Sequence, residues 1–226
     1  ESGAGKTEST KLIMQFLVAI NNSDGESGTE QSDIEEKILT TNALLESFGN
    51  AKTVRNHNSS RFGKYTVIGY NERFQITGAA IRQYLLEKTR IVGQSDGERN
   101  YHIFYEALAG LSPQFKRDLH LASARDYFYT NQGNAIEIDV KDDTNDFEEV
   151  LRAMQVIEFR QDERECIFRV ISAVLHLGNV KISATEVNHM DCASVDSIDE
   201  LRIVCAMLGV DELSLEQVCI YTHGIF

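Results

Sequence analysis

The chain has 226 residues, 42% of them hydrophobic and 25% charged, so it can bury a sizeable core as one large domain or two small ones. Its formal net charge of −13 excludes nucleic acid as a partner, because phosphate backbones demand clustered Lys and Arg. A small polyanionic ligand is not excluded, since a nest of backbone N–H groups binds anions whatever the net charge.

The first element is "ESGAGKT", Glu1–Thr7, which carries every position but the first of the phosphate-loop pattern G-x-x-x-x-G-K-[ST]. Glycines there let successive backbone N–H groups converge on phosphate oxygens that side chains would obstruct. Lys6 can neutralise the outer phosphates and the Thr7 hydroxyl can ligate Mg²⁺. A helix starting near Lys6 would add the positive end of its dipole. The opening inside a motif, without Met, predicts a piece of a longer chain, and no secretory leader is visible.

Glu8–Ile20 is apolar enough for a mostly buried helix. Its greasiest part, Leu12–Ile20, is broken by Gln15 and too short to cross a membrane, so no transmembrane segment is expected. Asn21–Asp33 is polar and acidic, contains Gly25 and Gly28, and is expected to be a surface loop. Ser32 with Glu35 predicts a capping box, and the following helix is expected to stop at Gly49. Arg55–Tyr65, "RNHNSSRFGKY", gathers amides and hydroxyls in a loop between that helix and a strand. Tyr65–Tyr70 and Phe74–Thr77 predict a hairpin turning at Asn71-Glu72-Arg73, with a third extended segment within Ile81–Val92. Helices are then expected over Tyr101–Ala109, Pro113–Leu121, Asn145–Phe159, Glu163–Leu177, Ile198–Leu208 and Leu213–Val218. Cys166, Cys192, Cys205 and Cys219 form no CxxC pair and have no zinc-suited histidine spacing, which predicts reduced thiols. The fold class is α/β: a partial P-loop NTPase-type nucleotide core with a mixed sheet over residues 1–95, then a mainly helical subdomain over 96–226.

Two stretches together narrow the chemistry. "ESGAGKTES" followed by "NHNSSRFGK", with Asn56 standing 50 positions after Lys6, resembles the P-loop and switch I of a myosin motor domain. "TNALLESFGNAKT", "LLEKTRIV", "GERNYHIFYEAL" and "VLHLGN" resemble the same family in the same order. Kinesins pair similar loops, but theirs usually open Gln-Thr-Gly and continue Ser-His after the switch arginine, where this chain has Glu1-Ser2-Gly3 and Phe62-Gly63. A GTPase-like switch protein would carry Asn-Lys-x-Asp, and Asn179 is not followed by that pattern. An inert, poorly folding fragment is the remaining alternative.

The resemblance implies an ATPase motor that binds Mg-ATP and moves on actin filaments in the cytoplasmic cytoskeleton. Glu1, Ser2, Gly3, Ala4, Gly5, Lys6, Thr7 and Glu8 would form the phosphate cradle and its lead into the helix. It implies that Asn56 touches the phosphates, Ser59 the γ-phosphate and lytic water, and Ser60 the Mg²⁺ opposite Thr7. Lys6, Ser59 and Arg61 would be the catalytic set, with Arg61 paired to a glutamate of switch II. No Asp-Ile-x-Gly-Phe-Glu stretch occurs, so that partner, the converter and a neck for light chains or calmodulin would lie outside these residues. Arg61 is therefore expected to lack a carboxylate, leaving its loop mobile and the isolated fragment inactive. His57 reads as a spacer, and Tyr101, His102, Phe104 and His176 as packing residues.

Overall fold

The computed structural model describes residues 3–22, 29–187 and 190–223. Two helices come first, α1 (Lys6–Asn22) and α2 (Thr29–Gly49), followed by the strand pairs β1 (Asn50–Thr53) with β2 (Asn56–Ser60) and β3 (Gly63–Tyr70) with β4 (Ile76–Tyr84). A short turn α3 (Thr89–Val92) leads into α4 (His102–Gly110), α5 (Pro113–Asp118), a 3₁₀ turn (Ala124–Asp126), α6 (Phe128–Asn131), α7 (Asp143–Val156) and α8 (Gln161–Asn179). The last hairpin, β5 (Ile182–Val187) with β6 (Met190–Val195), precedes α9 (Ile198–Leu208) and α10 (Glu212–His223). Among the described residues no helix is long and apolar enough to cross a membrane.

The core is built around α4, whose residues His102–Leu108 are all buried. Phe104, Tyr105 and Leu108 share one cluster with Tyr127, Phe147 of α7 and Phe168 of α8. Burying side chains of that size contributes roughly 1.5–3 kcal/mol each, so this cluster dominates the cohesion of the molecule. Phe147 and Phe168 meet with ring centroids 5.5 Å apart. Helix starts follow local chemistry: Pro113 opens α5 behind Ser112, whose hydroxyl accepts from the Phe115 N–H at 3.2 Å. Asp142 caps α7 by accepting from Thr144 N at 3.0 Å and Asn145 N at 3.2 Å.

The β1–β2 hairpin is fixed from both sides, and this fixes the site. Arg61 N donates to Gly49 O at 2.9 Å, and Arg99 N to Lys52 O at 3.0 Å. Ala51 bridges Tyr101 at the entrance to α4. Gly49 is obligatory as a close approach, since a Cβ there would lie 2.4 Å from the Phe62 ring.

Several expectations are corrected. The mixed sheet is not what the described strands form; they make three two-stranded antiparallel pairs, each closed by a local hairpin. Parallel pairing needs a long crossover between its strands, and each pair here is sequence-adjacent. α1 is not mostly buried: Leu12 and Phe16 are 65% and 64% exposed, because only the stripe of Met14 and Val18 packs, against Ile38 and Ile76. Of the expected Asn21–Asp33 loop, residues 23–28 lie outside the described residues, while 21–22 end α1 and 29–33 belong to α2, so Ser32 lies inside a helix rather than at its cap. Both glycines of that stretch precede Thr29, and no helix breaker follows until Gly49. Ile81–Val92 holds no third strand: its first part is the end of β4 and its last part is α3. Residues 182–195, unassigned from sequence, pair as β5–β6.

Candidate functional site

α1 begins at Lys6, so the loop before it presents a helix N-terminus. Gly3 and Gly5 hold φ of +81° and +79°, a conformation that L side chains rarely adopt, and this explains both glycines. Ser9 N donates to Gly5 O at 2.8 Å, closing the first turn. The Gly3 backbone faces Asn56 across a gap that a Cβ would narrow to 3.7 Å from Nδ2. The loop and β2 therefore touch, although they are separated by two helices in sequence.

Together they line a cavity of about 520 Å³, walled by Gly3–Glu8, Asn50, Asn56 and Asn58–Arg61. Every described member of the sequence-derived site set reaches it: Gly3, Ala4, Gly5, Lys6, Thr7, Glu8, Asn56, Ser59, Ser60 and Arg61. Glu1 and Ser2 lie outside the described residues. The segment from Asn56 to Ser60 is a strand rather than a loop, and its alternation buries Ser59, 2% exposed, while Ser60 faces out. Ser60 Oγ donates to Phe62 O at 3.1 Å, and Thr7 is half-buried. His57 is exposed, as a spacer would be.

Arg61 is not without a carboxylate. Its Nε and Nη2 donate to Glu87 Oε2 and Oε1 at 2.7 and 3.1 Å, a two-pronged pair, and its Nη1 reaches Ser59 Oγ at 3.3 Å. Glu87 also accepts from Arg90 Nε at 2.6 Å, and Arg90 continues to Glu98 Oε2 at 3.0 Å. The Tyr101 hydroxyl donates to Glu87 O at 2.7 Å, fixing the backbone beneath the pair. Sequence reasoning missed Glu87 because the partners are 26 positions apart with a hairpin between them. The hydrogen bond from Arg61, followed by that from Arg90, holds the Glu87 carboxyl down at about 2. The pair is therefore fully formed above about pH 4.5 and is lost as pH falls towards 2.

Behind β2 lies a second cavity of about 490 Å³, whose wall includes Lys11, Glu46, Asn58, His102, Glu106 and Lys141. Glu106 is buried and holds Lys141 at 2.7 Å and the Ser47 hydroxyl. Burial, with the positive charges of Lys141 and Arg99, depresses His102 to about 2, so it is neutral in the folded chain. Below pH 6.5 the unfolded chain takes up a proton that the folded chain refuses, and stability falls by about 1.4 kcal/mol per pH unit. Between pH 7 and 5.5 Glu87 stays ionised in both states, so a difference between wild type and a His102 variant over that interval reports the histidine. Chemical denaturation at pH 7 and pH 5.5 should show His102→Gln losing about 1 kcal/mol less than wild type across that interval. Equal losses would show that His102 is not buried neutral.

The remaining histidine of interest, His176, is buried at the end of α8, packs against the Tyr127 ring at 5.3 Å, and also bonds Glu200 at 2.5 Å and the His120 carbonyl at 3.1 Å. Cys166, Cys205 and Cys219 are free thiols, and the Cys192 side chain lies outside the described residues.

The sequence model of the myosin head (motor domain) family matches residues 1–223. The chain belongs to the myosin head family. It is 46% identical to unconventional myosin heavy chain 6 of Caenorhabditis elegans over 95% of its length, and 47% identical to human unconventional myosin-XV over 96%. It is 46% identical to the myosin-I heavy chain of Dictyostelium discoideum over 99%. It spans 10%, 6% and 9% of those three proteins, a small share of each. Within a myosin head, the cavity between Gly3–Glu8 and Asn56–Arg61 has features that fit Mg-nucleotide. It combines a left-handed glycine loop on a helix N-terminus, a lysine, the hydroxyl residues Thr7, Ser59 and Ser60, and a guanidinium already fixed in place.

Proposed function

We propose that the chain is part of the head of an actin-based motor that binds and hydrolyses Mg-ATP. The observation carrying this reading is that residues 3–8 and, far away in sequence, Asn56 and Asn58–Arg61 wall a single cavity. Residues 1–95 are the partial P-loop nucleotide core and 96–226 the helical part leading towards the actin-binding cleft. A nucleotide-gated signalling module is disfavoured by the absence of Asn-Lys-x-Asp, and a microtubule motor by the family match.

Each role is the one the family resemblance implies, and the cavity shared by the loop and β2 supports it. Backbone N–H groups of Gly3, Ala4 and Gly5 bind the inner phosphates, with Glu1 and Ser2 leading into the loop and Glu8 continuing it into α1. Lys6 offsets charge on the outer phosphates, and Asn56 touches them from β2. Thr7 and Ser60 would hold the metal, and Mg²⁺ there would supply charge neutralisation for the transferring phosphoryl group. Ser59 orients water at the γ-phosphate while Arg61, braced by Glu87, keeps Ser59 in place. Most of the rate enhancement in this chemistry is positioning and charge stabilisation, which rigid strands supply better than loops. Actin filaments are the proposed partner, with light chains or calmodulin on a neck, and the cytoskeleton the proposed location.

Ser60→Ala tests the metal assignment. Ser60 is exposed and its hydroxyl bonds the nearby Phe62 carbonyl, so stability should change by less than about 0.5 kcal/mol. Nucleotide release from the full-length variant, followed against Mg²⁺ concentration, should lose most of its metal dependence. A wild-type Mg²⁺ dependence would remove Ser60 from the metal shell.

A further inference from the structure

We propose that His102 is a positioning residue of the nucleotide cavity, its Nε2–H holding the Asn58 amide and thereby the β2 strand that carries Ser59 and Ser60. The inference rests on the reading of that cavity as a nucleotide site. Asn58 is the residue common to both cavities: it forms part of the wall between the phosphate side and the Lys11–Glu46 side. Three elements grip its side chain. Asn58 Nδ2 donates to Glu46 Oε2 of α2 at 3.2 Å. Its Oδ1 accepts from Asn50 Nδ2 of β1 at 2.9 Å and meets His102 Nε2 of α4 at 3.2 Å.

These contacts fix the chemistry of the imidazole. With Nδ2 committed to a carboxylate, Oδ1 is the acceptor, so His102 Nε2 must carry the proton and donate. His102 Nδ1 is then a bare acceptor, and it has no hydrogen-bond partner among the described residues. The ring is 2% exposed, so it cannot exchange Asn58 for water without moving the start of α4. The positive charges of Lys141 and Arg99 act on the ring, and Lys141, Glu106 and Glu46 line the same cavity as His102. α4 is the central helix of the main core, so His102 transmits the position of that core to the strand facing the phosphates. A packing histidine would need only its volume; this one is placed by a directed bond.

The test separates volume from direction. Gln can present an amide N–H near the Nε2 position, whereas Leu fills the space without donating and Asn is too short to reach Asn58. In the full-length protein, release of a fluorescent ADP analogue in Mg²⁺ should be within about twofold of wild type for His102→Gln. It should be about three- to tenfold faster for His102→Leu, the value of one partly buried hydrogen bond. His102→Asn should behave like His102→Leu, which keeps the test open if Leu impairs folding. In an Asn58→Ala background, His102→Leu should add no further acceleration. Equal acceleration by Gln and Leu, or an undiminished Leu effect without Asn58, would overturn the proposal. A wild-type protein that retains no analogue would instead overturn the nucleotide reading beneath it.

Discussion

Arg61→Glu in the full-length protein is expected to bind ATP yet hydrolyse it about a hundredfold more slowly. The guanidinium now makes a two-pronged pair with Glu87 and reaches Ser59 Oγ at 3.3 Å. A glutamate there would face the Glu87 carboxylate, repel it, and withdraw the donor from Ser59. The phosphate loop would be untouched, so binding would survive while water lost its fixed surroundings. Arg61→Ala and Glu87→Ala should each slow the step by about tenfold or more, and the double variant should be no slower than the worse single one. Rapid-quench measurement of the phosphate burst decides the matter. A normal burst from Arg61→Glu would remove Arg61 from the catalytic set, and additive effects of the two alanines would show that Glu87 does not act through it.

Lys6→Ala should weaken ATP binding by about a hundredfold or more. Lys6 is the cation of the loop and opens α1 at the cavity. Charge-assisted bonds to phosphate contribute roughly 1.5–3 kcal/mol each, and a lysine spanning two phosphates makes two of them. Arg61 cannot substitute, because its guanidinium is committed to Glu87 and Ser59. Titration with a fluorescent ATP analogue gives the affinity directly. An affinity equal to wild type would make the loop a structural turn rather than a phosphate site.

How much of this was legible beforehand depended on the range of the interaction. The turn of Gly3–Gly5 into a helix at Lys6 was readable because left-handed backbone at Gly3 and Gly5 demands a residue type. α9 was readable to both ends, Ile198–Leu208, because Gly209 ends it with φ of +69°. Pro113 behind Ser112 marked α5 for the same local reason. Glu87 was hidden because no short-range pattern says which carboxylate a hairpin will bring to Arg61. The exposure of α1 was equally hidden: apolar residues surround the helix, but only a surrounding fold decides which stripe is covered. His102 was read as packing, which its burial bears out, yet its bond to Asn58 emerges only when α4 and β2 are side by side. Residues 29–33 misled because polar side chains were taken for loop, although no glycine or proline lies between Thr29 and Gly49.

The proposed Mg-ATP site of an actin-based motor, formed by residues 3–8 with Asn56 and Asn58–Arg61, is tested by sedimentation of the full-length protein with actin filaments, with and without Mg-ATP. Wild type should pellet with filaments in the absence of nucleotide and be released by Mg-ATP, whereas Lys6→Ala should stay in the pellet under both conditions. A wild-type pelleted fraction that Mg-ATP leaves unchanged would contradict the proposal.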